Sequence, residues 1–194
     1  GVHCPPGHAQ RLRDLGGIAL LHEEQVEQLE VARTHVRVES IEHGVKLLAA
    51  PVSGNAKVIN AGKLTVVASG PKDAYDVVLP YLSAVGSGVT YVGDGELSRI
   101  AKICHNVMLG VVIQNLCEIT LLAQKAGMQR HAFLDFLNKS VMGSMFTRYK
   151  TPALVNLDFH VTFTPKLLRK DLVLGLVAGK EFEVPMPLTP LARG

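Results

Sequence analysis

The chain has 194 residues, of which 47% are hydrophobic and 19% charged, a balance typical of a globular fold with a sizeable core. A formal net charge of +3 is too small and too dispersed to indicate a polyanionic partner. Aromatic residues make up 5% and tryptophan is absent, which argues against a base-stacking surface, so we expect no nucleic-acid partner.

Residues 1–22 show no usable hydrophobic periodicity and include two adjacent prolines, which predicts an irregular or disordered N-terminal segment. His3, Cys4 and His8 are metal-ligating residue types within this segment. A structural zinc site usually needs four ligands, and no second cluster in the sequence completes one. We therefore expect no metal.

Residues 23–94 alternate between helical and β-like patterns, which predicts part of a Rossmann-like α/β domain. Glu23–Glu42 has the spacing of an amphipathic helix, and Lys72–Val85 has a helical pattern despite its internal Pro80. Three segments have β character: Val45–Val52, Leu64–Ala68 and Val89–Val92.

Residues 95–194 lose the strand pattern, which predicts an all-α C-terminal domain. The final segment, Val184–Pro190, is too rich in proline for a helix interior. Four helices are predicted: Leu97–Ala126 with Gly127 as its C-cap, His131–Lys139, Met145–Asn156 and Pro165–Phe182.

The most apolar stretch, Val107–Ala123, is interrupted by two amides and a glutamate, which favours a buried helix over a membrane span. Cys104 and Cys117 lie on this helix, where we expect them to pack as small hydrophobic residues. Three cysteines form no disulfide framework and no signal peptide is evident, so we expect a cytoplasmic protein without a membrane partner.

A lysine and an asparagine lie four residues apart near the start of the longest helix, and this spacing puts both on one face. Apolar neighbours around Lys102 predict burial, and a desolvated ammonium has a lowered pKa that suits proton transfer. Asn106 can position a substrate oxygen. Considered singly, Lys102 can instead extend its amine to solvent, and Asn106 can bond a neighbouring helix.

Two further motifs carry polar groups. Ser53 and Gly54 follow a β-like segment, and such a turn can hold a carboxylate with its hydroxyl and backbone N–H groups. Lys170 and Asp171 lie near the start of the last predicted helix. The alternatives are an ordinary turn in the first case and a surface ion pair of little energetic value in the second.

Taken in order, these motifs resemble those of the β-hydroxyacid dehydrogenases, the family of 3-hydroxyisobutyrate dehydrogenase within the 6-phosphogluconate dehydrogenase superfamily. The nine positions from Gly93 to Lys102 match the family's spacing to its catalytic lysine. The resemblance covers about residues 24–190 and includes Pro51–Gly54, Ala61–Val67, Tyr91–Gly93, Lys102, Asn106, Phe163–Leu172 and Val184–Leu188.

The resemblance implies oxidation of a small 3-hydroxy acid by NAD or NADP, or reduction of the corresponding semialdehyde. Lys102 would be the general base or acid, Ser53, Gly54 and Asn106 would bind the substrate, and Lys170 would approach the cofactor. The resemblance also implies the C-terminal part of a Rossmann-type sheet, a helical domain after it, and a homo-oligomer, either a dimer or a tetramer.

The chain departs from the family at the cofactor-binding motifs. No Gly-x-Gly-x-x-Gly occurs, so we expect that most of the N-terminal nucleotide-binding domain is missing. Asn55 replaces the second glycine of the substrate turn, and Glu96–Ser98 replaces a Gly-Ser-Gly. The alternative function is a non-catalytic paralogue or dimerisation module. Imine reduction is disfavoured, because relatives with that activity typically replace the catalytic lysine.

Overall fold

A computed structural model describes residues 42–54, 56–161 and 163–193. Of the described residues, those from Lys46 onward belong to one compact unit. The expectations for residues 1–22, for nearly all of Glu23–Glu42 and for Asn55 lie outside the described residues.

A three-stranded mixed sheet opens the described part, in the order β1-β2-β3. Strand β1 pairs antiparallel with β2, and β2 pairs parallel with β3, so that Val66 lies opposite both Val52 and Val89. The strands are β1 (Val52–Ser53), β2 (Thr65–Ala68) and β3 (Gly88–Tyr91).

The predicted strand Val45–Val52 is wrong over most of its length. Ala49 forms an isolated bridge to Ser69, and regular pairing resumes only at Val52. Pro51 lies between these points, and its carbonyl accepts from the Val67 N–H at 3.1 Å. A proline has no N–H to donate in return, so the ladder is interrupted there.

Two helices belong to the sheet region: α1 (Ala56–Asn60) and α2 (Lys72–Val85). Helix α2 matches its prediction, and Pro80 is accommodated on its exposed side. Helix α1 was not predicted, because five residues are too few to establish a hydrophobic period. The connection β2-α2-β3 joins two parallel strands, as a crossover helix does.

The buried apolar residues of the sheet region come from β2 and α2, and Tyr75 of α2 packs against Tyr91 of β3 with the ring centroids 4.7 Å apart. Leu64, Val66 and Ala68 are buried from one face of β2, and Tyr75 is buried from α2. A shared face of alternating apolar residues is what a half-buried strand requires. This packing fixes β2, the strand that carries β1 on its edge.

The helical part comprises α3 (Leu97–Lys125), α4 (Arg130–Lys139), α5 (Met145–Asn156), α6 (Pro165–Glu181) and α7 (Leu188–Arg193). The predictions of α3 to α6 are confirmed to within one residue at each end. Helix α7 contradicts the expectation of a non-helical tail. Pro190 is its third residue, and the first turn of a helix tolerates a missing N–H.

A buried pair of serines ties the start of α3 to the sheet. Ser69 donates from Oγ to Ser98 Oγ at 2.8 Å, and Ser98 donates in turn to the Ala49 carbonyl at 3.1 Å. Both side chains are fully buried, so their hydrogen bonds satisfy groups that water does not reach. The first turn of α3 is thereby held against β2.

Local sequence signals set where α6 begins. Thr164 accepts the Leu167 N–H at 3.2 Å as an N-cap, and Pro165 follows at the first helical position. This start places Lys170 and Asp171 in the second turn of the helix.

Glycines allow α3 and α6 to approach each other closely. A Cβ atom added at Gly175 would lie 2.2 Å from Val107 Cγ2, and one added at Gly110 would lie 2.8 Å from Leu172 Cδ2. At Gly175 only a residue without a side chain fits, whereas at Gly110 an added Cβ atom would displace the end of the Leu172 side chain. The close approach brings Asp171 on α6 within hydrogen-bonding distance of Asn106 on α3.

Helix α3 contacts β2, α4, α6 and α7, and most of its residues stay at least partly exposed. By length and composition α3 could cross a membrane, a test that core helices of soluble proteins also pass; its most apolar 18 residues have mean hydropathy 1.5 and are 22% buried. Cys104 and Cys117 are both free and exposed, so the expectation that they pack as buried hydrophobic residues is wrong.

Candidate active site

The segment Pro51–Gly54 contains β1 and its end, and we call it the substrate turn because it resembles the substrate-binding turn of the family; its conformation depends on a glycine. Gly54 has φ of 151°, a region that L side chains rarely adopt. A Cβ atom there would lie 2.9 Å from Leu64 Cδ1 and 3.0 Å from Val58 Cγ1. Backbone conformation and packing thus both require Gly54, which ends β1 at Ser53.

Lys102 lies in the second turn of α3 and is partly buried. Burial away from water lowers the pKa of its ammonium group below the usual 10.5. The carboxylate of Asp171 acts in the opposite direction, and the ammonium of Lys170 lowers the pKa further. The surroundings therefore increase the neutral fraction of this amine, which is the form that accepts a proton.

A chain of hydrogen bonds connects the substrate turn to α3 and α6. His105 Nε2 lies 3.1 Å from Ser53 Oγ, and His105 Nδ1 lies 2.9 Å from Asn106 Oδ1. Asn106 donates from Nδ2 to Asp171 Oδ2 at 2.8 Å. We name these four side chains, Ser53, His105, Asn106 and Asp171, the polar relay.

The carboxylate of Asp171 is buried, with a side chain 9% exposed, and Lys170 Nζ lies 2.9 Å from its Oδ1. The alternative of an ordinary surface ion pair is therefore wrong for the acidic partner. The Lys170 side chain is 36% exposed, so its ammonium reaches both Asp171 and solvent. The alternative interpretation of Asn106, a hydrogen bond to a neighbouring helix, is confirmed, because its side chain donates to Asp171 on α6.

The structure brings the predicted site residues to one junction of β1, α3 and α6. The relay includes Ser53 and Asn106 directly, while Lys170 and Lys102 are linked to it electrostatically through Asp171. Sequence reasoning missed His105 and Asp171 as site residues. His105 lies three residues after Lys102, a helical spacing that pointed to the same face.

Metal-ligating residue types do not cluster in the described part of the chain. No group of three or more histidine, cysteine, aspartate or glutamate side chains is arranged to hold an ion among those residues. His3, Cys4 and His8 lie outside the described ranges, so the expectation about them stays a prediction.

Two family models match the chain. Residues 97–194 match the model for the NAD-binding domain of NADP-dependent 3-hydroxyisobutyrate dehydrogenase, which covers half of the chain. The chain belongs to the β-hydroxyacid dehydrogenase family. Residues 28–93 match the NAD-binding domain of 6-phosphogluconate dehydrogenase. Because both models describe NAD binding, the expected cofactor class of the family, NAD or NADP, is confirmed.

Two curated relatives of the chain are dehydrogenases. The chain is 34% identical to 2-(hydroxymethyl)glutarate dehydrogenase of Eubacterium barkeri over 152 residues, which are 78% of this chain and 50% of that protein. It is 29% identical to 3-hydroxyisobutyrate dehydrogenase of Pseudomonas aeruginosa over 157 residues, 77% of this chain and 53% of the relative. The chain thus spans about half the length of the curated relatives it matches.

A solved structure confirms the predicted fold class. The crystal structure of 3-hydroxyisobutyrate dehydrogenase from Salmonella typhimurium superposes with a TM-score of 0.72 at 28% identity, covering 82% of this chain and 56% of that one. The fold is therefore part of a Rossmann-type sheet followed by a helical domain. The domain boundaries at residues 22 and 94 stay predictions.

One described residue, Lys170, can be compared with the needs of a nicotinamide dinucleotide. Lys170, partly exposed beside the buried Asp171, offers a donor where a cofactor can approach the relay. The pyrophosphate needs N–H groups of a glycine-rich turn at a helix N-terminus, and the sequence holds no Gly-x-Gly-x-x-Gly.

Proposed function

We propose that this chain carries the substrate and catalytic half of an NAD- or NADP-dependent dehydrogenase that oxidises a small 3-hydroxy acid to its semialdehyde. The observation that carries the proposal is Lys102, an amine with lowered pKa, one turn before an asparagine that belongs to the relay. The family, with its hydroxyacid dehydrogenase relatives, supports the reaction class.

Lys102 performs the proton transfer in this proposal. The bound nicotinamide ring supplies the hydride acceptor for oxidation and the donor for reduction. The neutral amine of Lys102 accepts the proton of the substrate hydroxyl, and its ammonium form returns a proton to the carbonyl oxygen in reduction. A pKa lowered by burial makes both forms accessible nearer to neutral pH.

The other site residues bind and orient. Ser53 and Gly54 receive the substrate carboxylate at the substrate turn, and Asn106 directs the hydroxyl toward Lys102. Asn106 is suited to this because the relay fixes its amide from both ends. Lys170 lies at the side from which the nicotinamide approaches, where its charge favours the anionic substrate.

The cellular setting belongs to the same proposal. We place the protein in the cytoplasm, as a homo-oligomer with no membrane partner. Free, exposed Cys104 and Cys117 support a reducing compartment. The exposed apolar residues of α3 support self-association.

The test is cofactor-dependent turnover by the purified 194-residue chain, with binding of NAD(H) and NADP(H) measured by calorimetry. Candidate substrates are 3-hydroxyisobutyrate and 2-(hydroxymethyl)glutarate, the compounds named for the relatives. If Lys102 transfers the proton, Lys102→Met lowers kcat/KM by about 10²- to 10⁴-fold and leaves cofactor affinity unchanged. Lys102→Arg also loses turnover, because a guanidinium stays protonated. Wild-type rates in either variant remove the lysine from the mechanism.

The second candidate function is a non-catalytic paralogue or dimerisation module. It is favoured by the exposed apolar residues of α3, which can serve as a surface for a partner. Absence of both cofactor binding and turnover favours this function. Binding of either cofactor with turnover that depends on Lys102 excludes it.

A further inference from the structure

The carboxylate of Asp171 accepts two hydrogen bonds, one at each oxygen. Oδ1 lies 2.9 Å from the ammonium of Lys170, and Oδ2 accepts from Asn106 Nδ2 at 2.8 Å. An ionised carboxylate has no proton to donate. The side-chain amide of Asn106 must therefore turn its NH₂ group, and not its oxygen, toward Asp171.

The orientation of Asn106 dictates the proton position on His105. With its NH₂ group on Asp171, Asn106 directs Oδ1 to His105 Nδ1 at 2.9 Å. An amide oxygen only accepts, so Nδ1 must be the donor. In a neutral imidazole a proton on Nδ1 leaves Nε2 as an acceptor, and the atom next to Nε2 is Ser53 Oγ at 3.1 Å.

We propose that Asp171 is a positioning residue that sets the direction of every hydrogen bond in the relay. It holds the neutral His105 in the Nδ1–H tautomer and makes the Ser53 hydroxyl donate to Nε2. The influence passes from α6 through two side chains of α3 to the end of β1.

The consequence for substrate binding rests on the proposed function. While the imidazole is neutral, Nε2 engages the Ser53 proton, so a carboxylate bound at the substrate turn competes with His105 for that proton.

The test measures the His105 tautomer directly in the full 194-residue chain. Long-range proton–nitrogen spectra of histidine labelled with ¹⁵N distinguish the two tautomers, and His105→Asn identifies the signals of this ring among eight histidines. The spectra are recorded at about pH 8.5, above the range in which imidazoles normally titrate. The expected result is the Nδ1–H tautomer; an Nε2–H tautomer in the wild-type chain overturns the proposal.

Asp171→Asn supplies the decisive variant, because an amide of the same shape can donate. An NH₂ group at position 171 requires an acceptor, so Asn106 turns its oxygen toward it and its NH₂ group toward His105. The tautomer should then switch to Nε2–H. Retention of Nδ1–H in a folded Asp171→Asn chain, verified by circular dichroism, overturns the proposal.

Ser53→Ala is the matched control at the other end of the relay. It removes the group that faces Nε2 and leaves Asp171, Asn106 and Nδ1 in place. We expect the Nδ1–H tautomer to persist in this variant. A switch to the Nε2–H tautomer would mean that Ser53 determines the tautomer, and it would overturn the role of Asp171. These spectra need neither cofactor nor turnover, so they fail or succeed independently of the proposed dehydrogenase activity.

Discussion

Lys102 is held between two opposing influences on its charge. Burial and the Lys170 ammonium favour the neutral amine, while Asp171 favours the ammonium form. Burial prevails, so the pKa is lowered. The pKa of Lys102 therefore depends on two side chains of α6, Lys170 and Asp171, as well as on burial.

Removing Asp171 should lower the pKa of Lys102 further. Asp171→Asn deletes the carboxylate that stabilises the ammonium, whereas Lys170→Met deletes a competing positive charge and should raise the pKa. Titration of the Lys102 side chain by NMR in each variant measures both shifts. The wild-type midpoint is expected below 10.5. A midpoint at or above that value contradicts the assigned burial of the amine.

The same lowered pKa gives stability a definite pH dependence. Between the folded-state pKa of Lys102 and its unfolded value of 10.5, the unfolded chain binds more protons than the folded one. The contribution of this group therefore makes the free energy of unfolding rise as pH rises through that window. The free energies of unfolding of the wild type and Lys102→Met should differ most at pH values below the window, where the wild type holds a partly buried charge. If the difference between the two is the same at every pH, the linkage is contradicted.

Gly54→Ala should disrupt the substrate turn. The new Cβ atom meets Leu64 and Val58 at 3.0 Å or less, and the backbone has positive φ. We expect a loss of about 1–3 kcal/mol in the free energy of unfolding. Gly62→Ala is the matched control, because Gly62 has φ of 66° with nothing within 4 Å of an added Cβ. If denaturant unfolding gives equal losses for the two variants, the contacts at Gly54 carry no extra cost.

At the residue scale, sequence spacing found Lys102 and Asn106 because both lie on one helix, where the period is fixed. It did not find the relay roles of His105 and Asp171. Those roles depend on which turn of α6 packs against α3, and on where β1 ends relative to both. Tertiary packing of this kind leaves no local period in the sequence.

At the element scale, long helices were predictable and short elements were not. Helices α3 and α6 span 29 and 17 residues, enough for several turns of apolar periodicity. Helix α7 has six residues and α1 has five, so propensity and capping decide them within a single turn. The shortened β1 follows from one residue, Pro51, whose effect on the ladder outweighs the apolar pattern around it.

Gly175→Ala should separate α3 from α6. An added methyl carbon would lie 2.2 Å from Val107 Cγ2, so one helix must move or a side chain must leave its rotamer. We expect a loss of about 1–3 kcal/mol in the free energy of unfolding by denaturant. Since Asp171 lies one turn earlier on α6, we also expect a weaker bond between Asn106 and Asp171, visible as a shift in the Lys102 titration.

Val107→Ala provides the companion variant. Alone it leaves a small cavity and costs about 1–3 kcal/mol, but combined with Gly175→Ala it removes the clash. The double variant should therefore be more stable than the sum of the single losses predicts. Additive losses would mean that the two helices are not in the contact described.

At the scale of the whole molecule, the order and spacing of the motifs sufficed to identify the family, and the family models and the Salmonella structure agree with that assignment. The missing glycine fingerprint was equally legible, because a dinucleotide turn has a fixed local pattern. The sequence did not predict which apolar surfaces remain exposed to solvent. The sequence pattern predicted that α3 is buried, but only 22% of the residues in its most apolar stretch are buried.

That uncovered surface leads to the last prediction, which concerns the mass in solution. Large apolar residues remain exposed on α3, among them Met108, Leu121 and Leu122, and soluble monomers rarely expose contiguous apolar patches. Light scattering coupled to gel filtration should give a mass of two or four copies of the 20.9 kDa chain.

Leu122→Lys places a charge where the side chain is 69% exposed, which a folded monomer tolerates and an apolar interface does not. It should reduce the mass, while Val77→Lys, at a 73% exposed position on α2, should leave it unchanged. A wild-type chain that runs as one copy at tens of micromolar contradicts self-association, and a mass reduced equally by both variants contradicts the assignment of the interface to α3.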